Sequence, residues 1–279
     1  MAATSVLPPR DVPTTLNYFE LVGEGPAREY TTPGPDGKRI SNVGKDPHPA
    51  VIHDVRGRED EFTLDKQGFQ FVHWPSSEKE FVDEETIKTK YYAEVEALLK
   101  EATGAKRRFF LMDHTIRRKA DAEDQSDPKN RGPAERVHID QTYHASVARV
   151  KYHLPAEADR LLKSRVRLIN AWRPIQNPVA HKPLAVADWR SLDAKDLVTV
   201  ELVYPKRTGA TLGVRYNPKL QWYYLGSQTP DEVVLIKCYD SEEDRARLTP
   251  HTAFTDAGSP KDAPHRQSIE VRALVFDSE

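Results

Sequence analysis

Val137-His138-Ile139-Asp140-Gln141-Thr142 sets a histidine and an aspartate two positions apart in a short stretch of strand character. Alternate residues of a strand point to one face, so His138 and Asp140 project together and can converge on one ion. After this stretch come strand candidates at 166–172, 184–188, 197–204, 221–225, 233–239 and 268–276, separated by turn signals. Strands at such short intervals predict a sandwich or barrel. A helix is expected at about 155–163, between the first strand and this train.

Working back toward the N-terminus, residues 119–136 are a run of Asp, Glu, Lys, Gln, Asn, Pro and Gly without periodicity, expected to be a mobile loop. Before it, 108–113 is a short apolar strand. Residues 83–102 carry Ile87, Tyr91, Val95, Leu98 and Leu99 at helical spacing, with Gly104 placed as a C-cap. Short strands are expected at 62–64 and 68–72. From Pro8 to Pro49 the chain is rich in Pro, Gly and charge, with 14–19 as its one strand-like island. This first part, about 1–50, reads as an extended arm wrapping a single domain that occupies 1–279.

The chemistry open to such a domain is limited by composition. Lys and Arg number 41 against 43 Asp and Glu, so there is no global field to draw the protein onto nucleic acid or an anionic bilayer. Residues 1–13 lack the apolar run of a signal peptide, and no stretch of about 18 apolar residues could span a membrane, so a cytoplasmic location is expected. The single cysteine, Cys238, excludes an internal disulfide and a cysteine-rich zinc cluster. Any metal must be held by histidines and carboxylates.

Taken alone, His-x-Asp is a weak signal, because a strand histidine is more often a hydrogen-bonded core residue than a ligand. A third ligand is supplied by His251 in Thr249-Pro250-His251-Thr252-Ala253-Phe254, just before the last strand. Two histidines and one carboxylate leave three coordination positions open, which suits iron(II) taking a bidentate 2-oxoacid and then dioxygen. Beyond His251 lies Arg266-Gln267-Ser268. An arginine can grip a distal carboxylate with two parallel bonds while a serine two residues on shares its strand face. Arg272 lies on that face as well and rivals Arg266. Read singly, either arginine is as easily a surface residue on a polar strand face.

Together with 137–142, the segments 167–175 (Arg-Leu-Ile-Asn-Ala-Trp-Arg-Pro-Ile), Pro178-Val179, 183–185, 222–224, 237–241, 250–254 and 268–272 resemble the fungal hydroxylase/desaturase group of 2-oxoglutarate oxygenases, a group related to the cephamycin methoxylation protein and the fungal gibberellin desaturase. The most specific parts are Asn-x-Trp-Arg-Pro and Pro-His-Thr-Ala-Phe. The resemblance implies a mainly β fold with flanking helices, a double-stranded β-helix or cupin-like jelly roll. It implies iron(II), 2-oxoglutarate and O2 as cofactor and co-substrates, with ascorbate as the reductant in vitro. It further implies oxidation of a C–H bond in a small natural product of secondary metabolism. Hydroxylation, desaturation and ring formation stay open as outcomes, whereas the presence of Asp140 argues against halogenation. Arg173 joins Arg266, Ser268 and Arg272 as a candidate for the co-substrate, and His114, Arg117, Asn170 and Trp172 match family positions and are candidates either for packing or for lining the substrate pocket. For Trp172 packing is the favoured role; Arg117 and Arg173 lean toward the site because an unpartnered buried guanidinium is costly.

Two other readings compete. A redox-neutral cyclase or isomerase would use the same pocket only to shape its substrate, and a cupin-like zinc enzyme would use the same ligands. The Arg-x-Ser after the distal histidine has no purpose in the zinc scheme. Substrate identity, the carbon oxidised and the oligomeric state are not encoded in any readable motif.

Overall fold

The stretch 166–174 is buried at every position. A strand covered on both faces needs a partner layer on each side, and here one layer is helical and the other is a second sheet. A computed structural model of the chain describes residues 8–35, 40–105, 108–120 and 131–277. Its strands are β1 (Val12–Leu21), β2 (Arg28–Tyr30), β3 (Val43–Asp54), β4 (Phe69–His73), β5 (Arg108–Arg117), β6 (His138–Ile139), β7 (Val166–Pro174), β8 (Leu184–Ala187), β9 (Leu197–Tyr204), β10 (Arg207–Val214), β11 (Trp222–Tyr224), β12 (Glu232–Asp240), β13 (His251–Ala253) and β14 (Ser268–Phe276). The helices are α1 (Glu84–Thr86), α2 (Tyr92–Thr103), α3 (Tyr143–His153) and α4 (Ala158–Leu161), with a π-helical turn, Ile87–Tyr91, joining the first two. Among the described residues the strands form a large sheet, β1-β3-β11-β8-β13-β6-β10-β9-β2, and a small one, β4-β12-β7-β14-β5.

Register decides where each side chain of the small sheet points. Glu270 lies opposite Trp172, Arg272 opposite Asn170 and Leu274 opposite Leu168, and this set faces the large sheet. The alternate set, Ile169, Ala171, Ile269, Val271 and Ala273, faces outward and packs on Ile87, Tyr91, Val95, Leu98 and Leu99 of the helical segment. Those five have the spacing that predicted the helix. Asp83 caps its start by accepting the Thr86 N–H at 2.7 Å, and Gly104 ends it at φ 65, donating to Lys100 O at 3.0 Å. Burying each Leu or Ile contributes about 1.5–3 kcal/mol.

Between the sheets, Phe69, Phe71, Trp172, Val234 and Ile236 meet Val186 and Tyr223 of the large sheet. The large sheet curls on itself. Val137 N–H donates to Asn17 O at 2.8 Å and Asn17 Nδ2 to Glu135 O at 2.9 Å, which brings edge strand β1 back to the start of β6. Leu16, Tyr18, Ile52, Ile139, Leu212 and Trp222 fill the curl. The two sheets, antiparallel except where β11 runs parallel to β3 and β2 to β9, form the expected jelly roll.

Several elements differ from the sequence reading. The stretch expected to be an extended arm is extended, but 12–21 pairs along its whole length with 43–52 and belongs to the large sheet. Phe62 and Leu64 are buried without forming a strand, after a 3-10 turn at Glu59–Glu61. Only Ala158–Leu161 of the helix expected at 155–163 is helical, because residues 155–157 form the turn that follows α3 and the chain turns again at 162–163. Helix α3 and strands β2 and β10 had no strong apolar period to reveal them. Of the loop expected at 119–136, residues 121–130 lie outside the described residues. No described helix is long and apolar enough to cross a membrane.

Candidate metal centre

Strand β6 is wedged between β10 and β13, so that His138 lies opposite Gly213 on one side and His251 on the other. Opposed residues of an antiparallel pair share a face. The two imidazoles are therefore brought together by register alone, with ring centroids 4.4 Å apart. Gly213 is required beside His138, since a Cβ there would meet the Phe19 ring at 2.4 Å. Asp140 lies one residue past the end of β6, in a bend and not on the strand as expected. Its Oδ1 is 3.5 Å from His138 Nε2 and 3.8 Å from His251 Nε2.

Each imidazole is oriented from behind. His138 Nδ1 donates to Arg136 O at 2.7 Å and His251 Nδ1 to Thr249 O at 3.0 Å, which leaves both Nε2 lone pairs aimed at the common point. Burial, and then the neighbouring His138, push His251 toward its neutral form, the form a metal needs. Burial opposes ionisation of Asp140, yet His251, His138 and Arg272 together hold it well below the usual carboxylate range. The three ligand atoms lie within 4.8 Å of one another. Two neutral imidazole nitrogens and one ionised carboxylate oxygen fit iron(II), with open positions left for small oxygen ligands. Cys238 is close, its Sγ 3.6 Å from Asp140 Oδ2, but burial and then Asp140 push its thiol well up, so it stays protonated.

Of the candidate co-substrate residues, Arg266 and Ser268 stand together. Arg266 is buried with its guanidinium 5.4 Å from the Trp172 ring centroid, and it donates once, to Lys182 O at 2.8 Å. Arg266 Nε and Ser268 Oγ are buried with no hydrogen-bond partner. Burial, then the charge of Arg117, push Arg266 down to about 9. Arg272 is different: its Nε donates to Asp113 Oδ1 at 2.6 Å, and its charge is committed there.

Strand parity separates the remaining candidates. Asn170 and Trp172 face the metal side, and Asn170 donates from Nδ2 to Asp140 Oδ2. Arg117, opposite Ser268, faces the same side and donates to Gly132 O at 2.8 Å. Arg173 and His114 do not. Arg173 lies under the helices, bonded to Tyr91 Oη, Pro230 O and Trp74 O, and His114 contacts Tyr92 Oη at 3.0 Å. Neither touches the site, and the odd spacing from Trp172 and from Arg117 was the available signal. Cys238, against Asp140, was missed because it lies on a strand buried on both faces, where alternation does not tell one face from the other.

Two facing, mainly antiparallel sheets with a His, Asp, His set between them define a non-haem metal oxygenase of the jelly-roll class. The family described as oxidoreductase/YMDC permease-like domain (YDMC) matches residues 16–276. The chain is 40% identical to the hydroxylase/desaturase efuI of Hormonema carpetanum, over 95% of each chain. It is 37% identical to the Fe(II)/2-oxoglutarate-dependent dioxygenase nvfI of Aspergillus novofumigatus, over 88% of each. A solved structure of the iron and alpha-ketoglutarate-dependent endoperoxidase NvfI superposes with a TM-score of 0.85 at 32% identity, covering 96% of this chain and 99% of that one. The chain belongs to this family and, within it, to the fungal hydroxylase/desaturase group of iron(II)/2-oxoglutarate-dependent oxygenases. Its cofactor is iron(II), and its co-substrates are 2-oxoglutarate and O2.

Proposed function

We propose that the enzyme oxidises a C–H bond of a small fungal natural product, with iron held by His138 Nε2, Asp140 Oδ1 and His251 Nε2 and the far carboxylate of 2-oxoglutarate held by Arg266 and Ser268. The observation that carries the anchor is the pair of buried, unpartnered donors, Arg266 Nε and Ser268 Oγ, on the face that carries Asn170 and Trp172. A buried guanidinium without a carboxylate is costly unless an anion completes it. Iron, when bound with 2-oxoglutarate and O2, supplies the power to remove hydrogen from carbon while the co-substrate becomes succinate and CO2.

The protein's part is placement. Asn170 fixes the rotation of Asp140, the carbonyls of Arg136 and Thr249 fix the two imidazoles, and Trp172 forms a flat wall beneath Arg266. Arg117, on the metal-facing side, stands where substrate would pass. We read 1–279 as one domain, because both sheets contribute to one core between them. We also place the protein in the cytoplasm, on its single free, buried thiol at Cys238.

The relatives' names, hydroxylase/desaturase and endoperoxidase, support oxidation and leave its outcome open. The test is incubation with iron(II), ascorbate, 2-oxoglutarate and candidate pathway intermediates, reading succinate and product mass together. Gain of one oxygen means hydroxylation, loss of two hydrogens desaturation or ring closure, and gain of two oxygens an endoperoxide. Product formed without succinate sinks the proposal in favour of a redox-neutral cyclase.

A further inference from the structure

Strand β13, which carries His251, lies between β6 and β8. Past the histidine, Ala253 N–H donates to Ala134 O at 2.8 Å on one side and Phe254 N–H to Pro183 O at 3.1 Å on the other. The segments that lead into β6 and β8 therefore flank the same point of the chain. An ion pair joins them there: the Glu135 carboxylate meets the ammonium of Lys182, which also donates to Thr255 Oγ1 at 3.0 Å.

Both ends of this pair lead into the site. On the Glu135 side the backbone is clamped by β1, since Glu135 O accepts Asn17 Nδ2 at 2.9 Å and Val137 N–H donates to Asn17 O at 2.8 Å. Between these two bonds lies Arg136 O, which orients the His138 ring. On the other side Lys182 is left-handed, with φ 50. A long side chain rarely adopts that conformation, and a residue before proline is normally held extended, so the surroundings must impose it. Its carbonyl accepts from Arg266 Nη1 at 2.8 Å, the one hydrogen bond that Arg266 makes among the described residues.

The two side chains of the pair are 21% and 30% exposed, and so accessible a pair adds little to stability. What it can supply is placement. 2-Oxoglutarate has a fixed reach and must meet the metal with one end and Arg266 with the other, which demands that the two be set to within about 0.5 Å of each other's required position. We propose that Glu135 and Lys182 form a positioning strut for the co-substrate: the pair holds Lys182 in the turn whose carbonyl sets Arg266, and ties that turn to the segment that orients His138. This rests on the reading of Arg266 as the anchor of the far carboxylate.

The test is calorimetric titration of 2-oxoglutarate into the manganese(II)-loaded enzyme. Glu135→Gln and Lys182→Met should each weaken 2-oxoglutarate binding by about three- to tenfold, and the double variant no more than either alone. The affinity for manganese(II) without co-substrate and the melting temperature should stay at wild-type values, which a merely structural pair would not separate from co-substrate binding. In an Arg266→Ala background Glu135→Gln should cause no further loss, because the strut acts through Arg266. Unchanged 2-oxoglutarate affinity in both single variants, additive losses in either double variant, or an equal fall in manganese(II) affinity overturns the proposal. Arg266→Ala on its own tells the two readings apart. If it weakens 2-oxoglutarate while the strut variants do not, the anchor stands and the strut falls; if it has no effect, the anchor falls and takes the strut with it.

Discussion

Asn170 donates to Oδ2 of Asp140, the oxygen turned away from the two histidines, while Oδ1 faces both of them. The carboxylate is thereby locked in one rotation with a single oxygen offered to the metal. Loss of such an outer bond costs about 10–100-fold in metal affinity. Asn170→Ala should therefore weaken iron(II) or cobalt(II) binding by that factor while the melting temperature changes little. Titration of the two proteins with cobalt(II) decides it; affinities within about twofold of each other would remove Asn170 from the positioning role.

The ligands themselves give a sharper outcome. His138→Ala, Asp140→Ala and His251→Ala should each abolish turnover and reduce iron content, with circular dichroism unchanged. Each removes one of the three proposed ligands, which come from three short, well-braced positions. The exposed His144, on α3, is the control and should tolerate alanine. Near-normal activity in any of the three variants removes that residue from the set.

A third prediction concerns stability. Lys237 is fully buried, with Nζ 2.7 Å from Asp240 Oδ2 and 2.8 Å from Asp65 Oδ1, and Arg165 bonds the same two carboxylates. Burial raises both carboxylates, but Arg165 and Lys237 outweigh it and hold both below the ordinary value of 3.8. A depressed folded-state value means stability that is complete above the ordinary value and is lost as pH falls below it. Asp240→Asn leaves Lys237 short of a partner and should cost about 3–5 kcal/mol in urea unfolding at neutral pH. It should also flatten the loss of stability between about pH 4 and pH 2. An unchanged acid limb would show that other carboxylates govern it. Lys237→Met combined with Asp240→Asn should recover much of the loss.

The central strands were legible because β-branched, leucine and aromatic residues recur along 166–174, 232–240 and 268–276 at a density that short strands buried on both faces require. The three candidate ligands could be read as a set because His138 and Asp140 are two apart in the chain, and the structure brings His251 opposite His138. Strand β10, Arg-Thr-Gly-Ala-Thr-Leu-Gly-Val, was not, since its apolar content is held to Leu212 and Val214 by the need for Gly213 beneath Phe19. Helix α3 buries only Ser146 and Val150, too few to print a period, although the Thr142 side chain that accepts the Ala145 N–H was a visible cap. Grouping Arg173 with Asn170 and Trp172 ignored strand parity, which sends Arg173 to the opposite face.

The last prediction separates the two arginines of β14. Arg266 has a buried Nε without a partner, beside an unpartnered Ser268 Oγ, whereas Arg272 is bonded to Asp113. A charge-assisted bond contributes about 1.5–3 kcal/mol, so Arg266→Ala should weaken 2-oxoglutarate binding at least about tenfold. Arg266→Lys should restore only part of it, because an ammonium cannot form two parallel bonds. Ser268→Ala should cost less, as a neutral hydroxyl donates a weaker bond. Arg272→Ala should leave 2-oxoglutarate affinity within about threefold, since its charge already has a carboxylate partner, and should lower stability by stranding Asp113. Calorimetric titration of the four variants in the presence of manganese(II) measures this without turnover. If Arg272→Ala alone weakens the co-substrate, Arg266 is a packing residue over Trp172 and the anchor sits at the other end of the strand. If neither does, Arg117 is next in line, because it shares the metal-facing side that Arg173 does not.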